Sequence, residues 1–513
     1  MLSLIYAYLL HYLLHIPCFG LYKKAGKNPM HVFIPLVQDF TLMEIIGRPK
    51  TQAYWGLVPY INFMFGLTWT TDICNSFGKR SLLQHVLGIF FGYIYFPIIG
   101  QDKKTTYEGP SHLIDKDKKV KRSFTREWAD AIIFAVVAAT IIRTFVIEAY
   151  KIPTTSMEGS LLAGDFLFVS KLNYGARTPA TPIAFPFAHH TMPFGLGQAY
   201  SKMIQFDYHR LPGFETIERG DVVVFNYPGD ALASAQRQID YTDRPVDKRE
   251  NYVKRCVGIS GDTILIKDRQ LYINNTAQTI YENMQFSYLV YTKPSQYLSA
   301  DVLENIGVNW YNDLADRSYS NNLGEPIADH DALYADYMSA ITNDSVYLFL
   351  SNSQAESLRK LPNVTKVVPN QLSVINGDLL YSIVANHYNW TPDNYGALIV
   401  PKKGWTIDLT NPDNFLRYAK TIELYDNIKA KVVDDKLMLD GAAVTSYTFK
   451  QNYYWMMGDN RHNSEDSRFW GFVPEDHVVG KPLFVWLSKD NFTPFLESIH
   501  WKRMFRSVKS LCE

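Results

Sequence analysis

Apolar residues crowd the first third of this chain, and polar residues break up the rest. Residues 1–22 carry no Asp, Glu, Lys or Arg, although His11 and His15 interrupt them. Two more uncharged runs follow, 53–71 and 81–101. Each approaches the ~20 residues that a helix needs to cross a bilayer. A fourth candidate, 131–142, is flanked by Asp130, Arg143 and Glu148. A helix from about Trp128 to Ala149 still spans if those side chains reach the interfaces. The first run resembles a signal peptide in length, but it lacks a basic start and a small-x-small site, which favours a retained helix. Buried helices of a soluble domain are the alternative for the first three runs, and their crowding within a hundred residues argues against it.

Beyond residue 150 the pattern shortens to strand length. Asp221–Phe225 reads as a strand opened by Arg219-Gly220. Thr263–Lys267 and Gln270–Ile273 flank a tight turn at Asp268-Arg269. Lys431–Val433 and Lys436–Leu439 flank Asp434-Asp435, with a further turn at Asp440-Gly441. These are hairpin signals. Lys481–Leu487, Tyr347–Leu350 and Gly404–Ile407 also read as strands. Helical patterning is confined to Gln354–Leu361 and Pro412–Leu424, the latter with Asn411 as N-cap and Pro412 at the first helical position. A β-rich domain follows a helical one. Residues 275–429, rich in Tyr, Asn and Asp, read as an insertion.

Charge orients the helical part. The 513 residues hold 51 Lys and Arg against 51 Asp and Glu, so nothing global points to nucleic acid. The stretch 102–127 nevertheless carries eight Lys or Arg, which makes it cytoplasmic by the positive-inside rule. The loop with Lys23, Lys24, Lys27, Arg48 and Lys50 should share its side. Four spans with an external N-terminus satisfy both, and Lys79-Arg80 is then a mild conflict. Everything after about residue 150 falls on the outer face. The four cysteines, Cys18, Cys74, Cys256 and Cys512, show neither a disulfide framework nor zinc-ligand spacing.

Three segments carry candidate chemistry. Ile152-Pro153-Thr154-Thr155-Ser156-Met157-Glu158 follows the last apolar segment. Asn251–Arg255 holds Lys254, with Tyr252, Val253, Cys256 and Val257 as apolar neighbours. A serine hydroxyl needs a base, and burial can make a lysine one by disfavouring its ammonium form. The third segment, Gly458–Arg468, is a polar loop after Tyr453-Tyr454-Trp455. It reads equally as a solvated turn, a weak cation site, or a buttress in which Ser464 bonds the lysine amine. His189, His190, His209, His462 and His477 leave a Ser–His–Asp triad open, but no GxSxG elbow surrounds a serine. His330 and His387 are isolated.

Taken together and in this order, the segments resemble bacterial type I signal peptidases over about 129–171, 218–273 and 453–487. Phe33-Ile34-Pro35, Gly47-Arg48-Pro49, Val58-Pro59, Asn62 and Ser76-Phe77-Gly78-Lys79 are similar to an accessory membrane region fused to some members. The resemblance implies a membrane-anchored protein. An N-terminal α-helical transmembrane region precedes a mainly-β catalytic domain carrying an inserted α+β domain. The corresponding divisions are a membrane region 1–101, a basic loop 102–127, a helix 128–149, a core of 150–274 and 430–490, an insert 275–429, and a tail 491–513.

By the same resemblance Ser156 is the nucleophile and Lys254 the general base. The Ser156 N–H and the Thr154 hydroxyl form the oxyanion hole. Ser464 orients Lys254, and Asp466 pairs with Arg468. Ile152, Pro153, Met157, Leu161, Tyr252 and Val253 line shallow pockets for small residues before the cut. The implied activity is cleavage of signal peptides from secreted preproteins after small-x-small sites. It occurs at the outer face of the bacterial cytoplasmic membrane, without metal or cofactor and with the export machinery as a possible partner. Departures are Thr154 and Thr155 for the usual Ser and Gly, and His462 for a frequent Asp. The rival readings are a self-cleaving Ser–Lys protease and a catalytically silent membrane-anchored binding protein. Ile183–Phe187 and Met192–Phe194 suggest an apolar rim dipping into lipid, or a packed loop.

Overall fold

The computed structural model describes residues 12–13, 15–57, 61–111, 124–185, 187–188, 191–192, 197–228, 244–308, 344–373, 375, 380–426, 429–489 and 498–513. The chain forms two compact units, Met1–Arg143 with Thr178–His209, and Thr144–Arg177 with Arg210–Glu513.

The first unit is helical: α1 (Val37–Ile46), α2 (Ile61–Ser76), α3 (Leu82–Gln101) and most of α4 (Phe124–Phe145). Leu21, Tyr22, Leu42, Ile46, Trp69, Ile73 and Phe96 form its core. Ser81 and Gln84 close the start of α3 as a capping box. At its other end Lys24 Nζ donates to the carbonyls of Ile99, Asp102 and Thr105 at 3.0, 2.6 and 2.8 Å. A cation there satisfies orphan carbonyls and complements the helix dipole. Arg48, from the motif expected in this region, pairs with Asp72 at 2.6 Å.

The spans expected from sequence fare unevenly. Among the described residues one helix, Leu83–Gln101, is long and apolar enough to cross a membrane. The run 53–71 is not one helix: a 3-10 segment, Lys50–Leu57, precedes α2. Between the first two apolar runs the chain forms a ten-residue helix, α1. The fourth run is helical only to Phe145; Ile147–Lys151 is a strand rather than the helix end expected to Ala149. Its backbone groups pair with Asp165–Ser170, a partner invisible to local hydropathy. Ile183, Phe185 and Phe187 are about half exposed, whereas Pro186, Pro193, Phe194, His189, His190 and His330 lie outside the described residues.

The second unit is built on an antiparallel seven-stranded sheet. Its strands are β1 (Ile147–Lys151), β2 (Asp165–Ser170), β3 (Val222–Asn226), β4 (Asn251–Gly258), β5 (Tyr453–Met457), β6 (Val473–Pro474) and β7 (Val478–Ser488). The spatial order is β1-β2-β7-β3-β4-β5-β6. β3 reads Val-Val-Val-Phe because both of its faces are covered. Val222 and Val224 pack with Ile152, Met157, Leu161, Leu167 and Val485; Val223 and Phe225 pack with Cys256, Met456 and Trp470. β7 bridges β3 and β2 across register shifts after Val478 and Pro482. At its corner a Cβ on Gly480 would lie 2.2 Å from Ser170 O, so only glycine lets the strands meet.

The sequence turns are where expected. Asp268 and Arg269 both have positive φ, as do Asp434 and Asp435, in two-residue hairpin loops. The expected helices are Asn352–Arg359 and Pro412–Thr421, and Asn411 caps the second by accepting from the N–H groups of Asp413 and Asn414. Phe286–Thr292, Ser345–Leu350 and Val364–Pro369 make a three-stranded sheet over its own apolar cluster. A larger core joins Ile264, Tyr381, Tyr395 and Tyr418 to Trp455 and Phe472, so segments from both sides of the expected insertion boundaries pack together.

Candidate active site

β1 ends at Lys151, and the chain makes a compact loop before returning as β2. Ile152 N–H donates to Asp165 O and Gly164 N–H to Ile152 O, both at 2.8 Å, which pins the two ends of the loop. Met157 and Leu161 are wholly buried and anchor it in the core. Between them and the exposed Pro153 and Thr154 lies Ser156, half-buried.

β4 brings Lys254 to that serine from 98 residues further on. Lys254 is buried, and its Nζ donates to Ser156 Oγ at 2.5 Å and to Val253 O at 3.2 Å. Burial lowers the amine from its ordinary 10.5 to about 8, against the opposing pull of Asp466, Glu465 and Asp459. At mildly alkaline pH such an amine is largely neutral, and it can then accept the Ser156 proton. Thr154 Oγ1 stands 3.4 Å from Ser156 Oγ. Tyr252 and Val253 are half-buried beside the lysine, and Tyr252 stacks on Tyr227 at 4.7 Å. Ile152, like Met157 and Leu161, belongs to the core under the loop.

The polar loop after β5 holds the serine segment from behind. Asn460 N–H donates to Ser156 O at 3.2 Å, Asn460 Nδ2 to Thr155 O at 3.2 Å, and Asn463 Nδ2 to Thr155 Oγ1 at 2.8 Å. Asp466 and Arg468 form the expected ion pair, two-pronged at 2.9 and 2.8 Å and fully buried. Burial pushes the Asp466 carboxyl up, but the Arg468 charge and bonds outweigh it and leave the group below its usual value. Asp466 also accepts from Gly458 N–H, and Ser467 Oγ from Met456 N–H.

Ser464 is the exception. The expected bond to Lys254 is not formed; Ser464 Oγ is buried without a hydrogen-bond partner among the described residues. A Cβ on Gly458 would lie 2.3 Å from Ser464 Oγ and 2.4 Å from Ser156 O, so the hydroxyl sits beside the serine backbone.

Among the described residues no histidine is bonded to Ser156. His462 Nε2 meets Asp393 at 2.7 Å and its Nδ1 meets Ser287 Oγ at 2.6 Å. Ser287 is wholly buried, so this serine–histidine–aspartate row is a tie between the polar loop and the expected insert. Burial holds His462 below its usual value and hence neutral near pH 7. His477 is taken up by Asp476 at 2.6 Å. Sequence reasoning missed this tie. It also missed the buried pair Arg255–Asp459 at 2.6 Å, to which Ser160 Oγ adds a bond of 2.6 Å. The signal was present in the second pair: a charged residue on a strand otherwise reading as core, and an aspartate opening the polar loop. Among the described residues no His, Cys, Asp and Glu cluster fits a metal ion, and the four cysteines are free and buried.

A half-buried hydroxyl is held against a buried amine on a mainly-β scaffold, an arrangement in which a neutral amine can act as base to the hydroxyl. The model of the family described as signal peptidase, peptidase S26, matches residues 125–353 and 417–487, more than half of the chain. This chain belongs to that family, as an enzyme of the serine-peptidase class with a mainly-β catalytic domain. It is 26% identical over 381 residues to Signal peptidase I of Buchnera aphidicola subsp. Baizongia pistaciae, covering 74% of this chain and 80% of that one. Signal peptidase I of Haemophilus influenzae is 22% identical over 438 residues, 83% and 86% of the two chains. Signal peptidase I of Helicobacter pylori strain J99 is 23% identical over 401 residues, 76% and 93%. Residues 30–110 match a separate family of unknown function.

Proposed function

We propose that this protein is a membrane-bound endopeptidase that removes signal peptides from exported preproteins by a Ser156–Lys254 mechanism. The observation that carries this reading is the 2.5 Å contact between Lys254 Nζ and Ser156 Oγ, made by an amine whose burial depresses its pKa. Neutral Lys254 takes the hydroxyl proton as Ser156 attacks the scissile carbonyl. The oxyanion is met by the Ser156 N–H and the Thr154 hydroxyl, whose Oγ1 is already on the serine's side. The amine then protonates the leaving amino group, and water activated by the same amine releases the acyl-enzyme. Ser464 orients the lysine once substrate tightens the site, since catalytic hydrogen bonds are often unmade in the free enzyme. Ile152, Pro153, Met157, Leu161, Tyr252 and Val253 shape pockets that admit only small side chains by excluding bulk.

The same reading places the protein in the bacterial cytoplasmic membrane with several spans and its catalytic part outside. The half-exposed Ile183, Phe185 and Phe187 then face lipid, where emerging signal peptides are met. Residues 275–429 act as an inserted domain, and the export machinery is the natural neighbour.

The test is cleavage of a purified preprotein at pH 8–9, with product N-termini read by mass spectrometry. Wild type is expected to cut after a small-x-small site, and Ser156→Ala and Lys254→Ala to lose at least about 100-fold in rate. Right-side-out vesicles are expected to cleave externally added substrate without detergent, and inverted ones only with it. Equal processing by all three proteins moves the active site elsewhere. No processing by folded wild type favours a silent binding protein.

A further inference from the structure

Of the three arginines buried in and beside the polar loop, only Arg461 has no carboxylate bonded to it among the described residues. Arg255 is paired with Asp459 and Arg468 with Asp466, each at hydrogen-bonding distance. Arg461 is the remainder. It is only 6% exposed, its Nε has no partner among the described residues, and its Nη2 reaches nothing better than Met284 Sδ at 3.5 Å. Burial lowers this guanidinium to about 10, against the pull of Asp459, so it stays charged at physiological pH. An unpaired buried charge is strongly unfavourable unless a counter-charge arrives.

Beside it lies a cavity of about 80 Å³ lined by Arg461, Arg255 and Arg219 together with Gln278, Thr279 and Tyr281. That is roughly five times the room one water needs. Arg219 spends its Nε and Nη2 on Asp262, and its side chain is 44% exposed, which opens the cavity to solvent. The walls therefore offer guanidinium, amide and hydroxyl groups, and the one carboxylate-free guanidinium is inside.

We propose that this cavity binds a small tetrahedral oxyanion of the phosphate class. The ligand is either free phosphate or the phosphate of a lipid headgroup. Planar guanidinium edges bind such oxygens two at a time, which favours an oxyanion over a halide. The site adjoins the serine loop: Arg461 follows Asn460, whose N–H holds the Ser156 carbonyl.

The experiment is thermal unfolding of the full-length protein in neutral detergent. Inorganic phosphate is titrated against chloride at matched ionic strength, and short-chain phosphatidylglycerol against phosphatidylcholine. Wild type is expected to show a saturable rise in Tm with phosphate if the ligand is free, or with phosphatidylglycerol alone if it is a headgroup. Arg461→Met should lose the rise and be at least as stable as wild type in chloride, because it removes an unpaired charge. Arg219→Gln, altered at the exposed mouth, should keep its fold and need at least about threefold more ligand. No saturable rise in wild type overturns the proposal. So does an unchanged midpoint in Arg219→Gln, a result that stands even where Arg461→Met fails to fold.

Discussion

Lys254 is kept at a thermodynamic disadvantage by its burial. Its pKa falls from 10.5 to about 8 on burial, so between those values the unfolded chain binds more protons than the folded one. Stability therefore rises with pH through that window, and below pH 8 the folded protein bears the full cost of a buried ammonium. Lys254→Met is expected to raise stability at pH 7 by up to about 3 kcal/mol, with the gain shrinking towards pH 10.5, while abolishing cleavage. Chemical denaturation of both proteins at pH 7 and pH 10 checks this; equal gains at the two pH values would contradict it. At this scale much was legible. Tyr252, Val253, Cys256 and Val257 gave Lys254 the apolar neighbours that burial needs, and Asp466 and Arg468 do lie in contact. The free Ser464 hydroxyl was not legible, because a missing bond of this kind depends on sub-ångström placement. Nor was Arg461, because its isolation follows from two aspartates being claimed by other arginines.

At the scale of elements, the polar loop works by being threaded against the serine loop. Gly458 lies where the two loops meet, with Ser464 Oγ and Ser156 O where a methyl would go. Gly458→Ala is expected to lose about 1–3 kcal/mol of stability and at least about tenfold in kcat with little change in KM, since the serine backbone must shift. Thermal unfolding with steady-state kinetics checks it, and a wild-type kcat would show that the loop yields without moving Ser156. Hairpins were legible here because their turns need positive φ, and Asp268-Arg269 and Asp434-Asp435 declare it chemically. The end of α4 was not. Val146 and Ile147 suit a helix or a strand, and only pairing with β2 decides. The run 53–71 likewise hides the break between a 3-10 segment and α2, because hydropathy does not encode helix type.

At the scale of the molecule, one chain joins a helical unit with a half-buried Arg48–Asp72 pair and a Lys24-capped helix to a mainly-β peptidase unit. The order of the parts was legible from charge and hydropathy. The long-range meetings were not, since Ser156, Lys254 and Gly458–Arg468 are separated by some one hundred and two hundred residues and local patterning carries no register between them. The row Ser287–His462–Asp393 shows the same limit: it ties the expected insert to the polar loop through residues that individually looked unremarkable.

The central claim is that Ser156 is the acylated residue and Lys254 the base that activates it. The most direct measurement is peptide mapping by mass spectrometry after reaction with a serine-reactive penem, with the acylation rate followed from pH 6 to pH 10. The account predicts a single adduct on Ser156, none in Ser156→Ala, and a rate that climbs through an apparent pKa near 8 as Lys254 loses its proton. An adduct on another residue, or a rate indifferent to pH across that range, would contradict it.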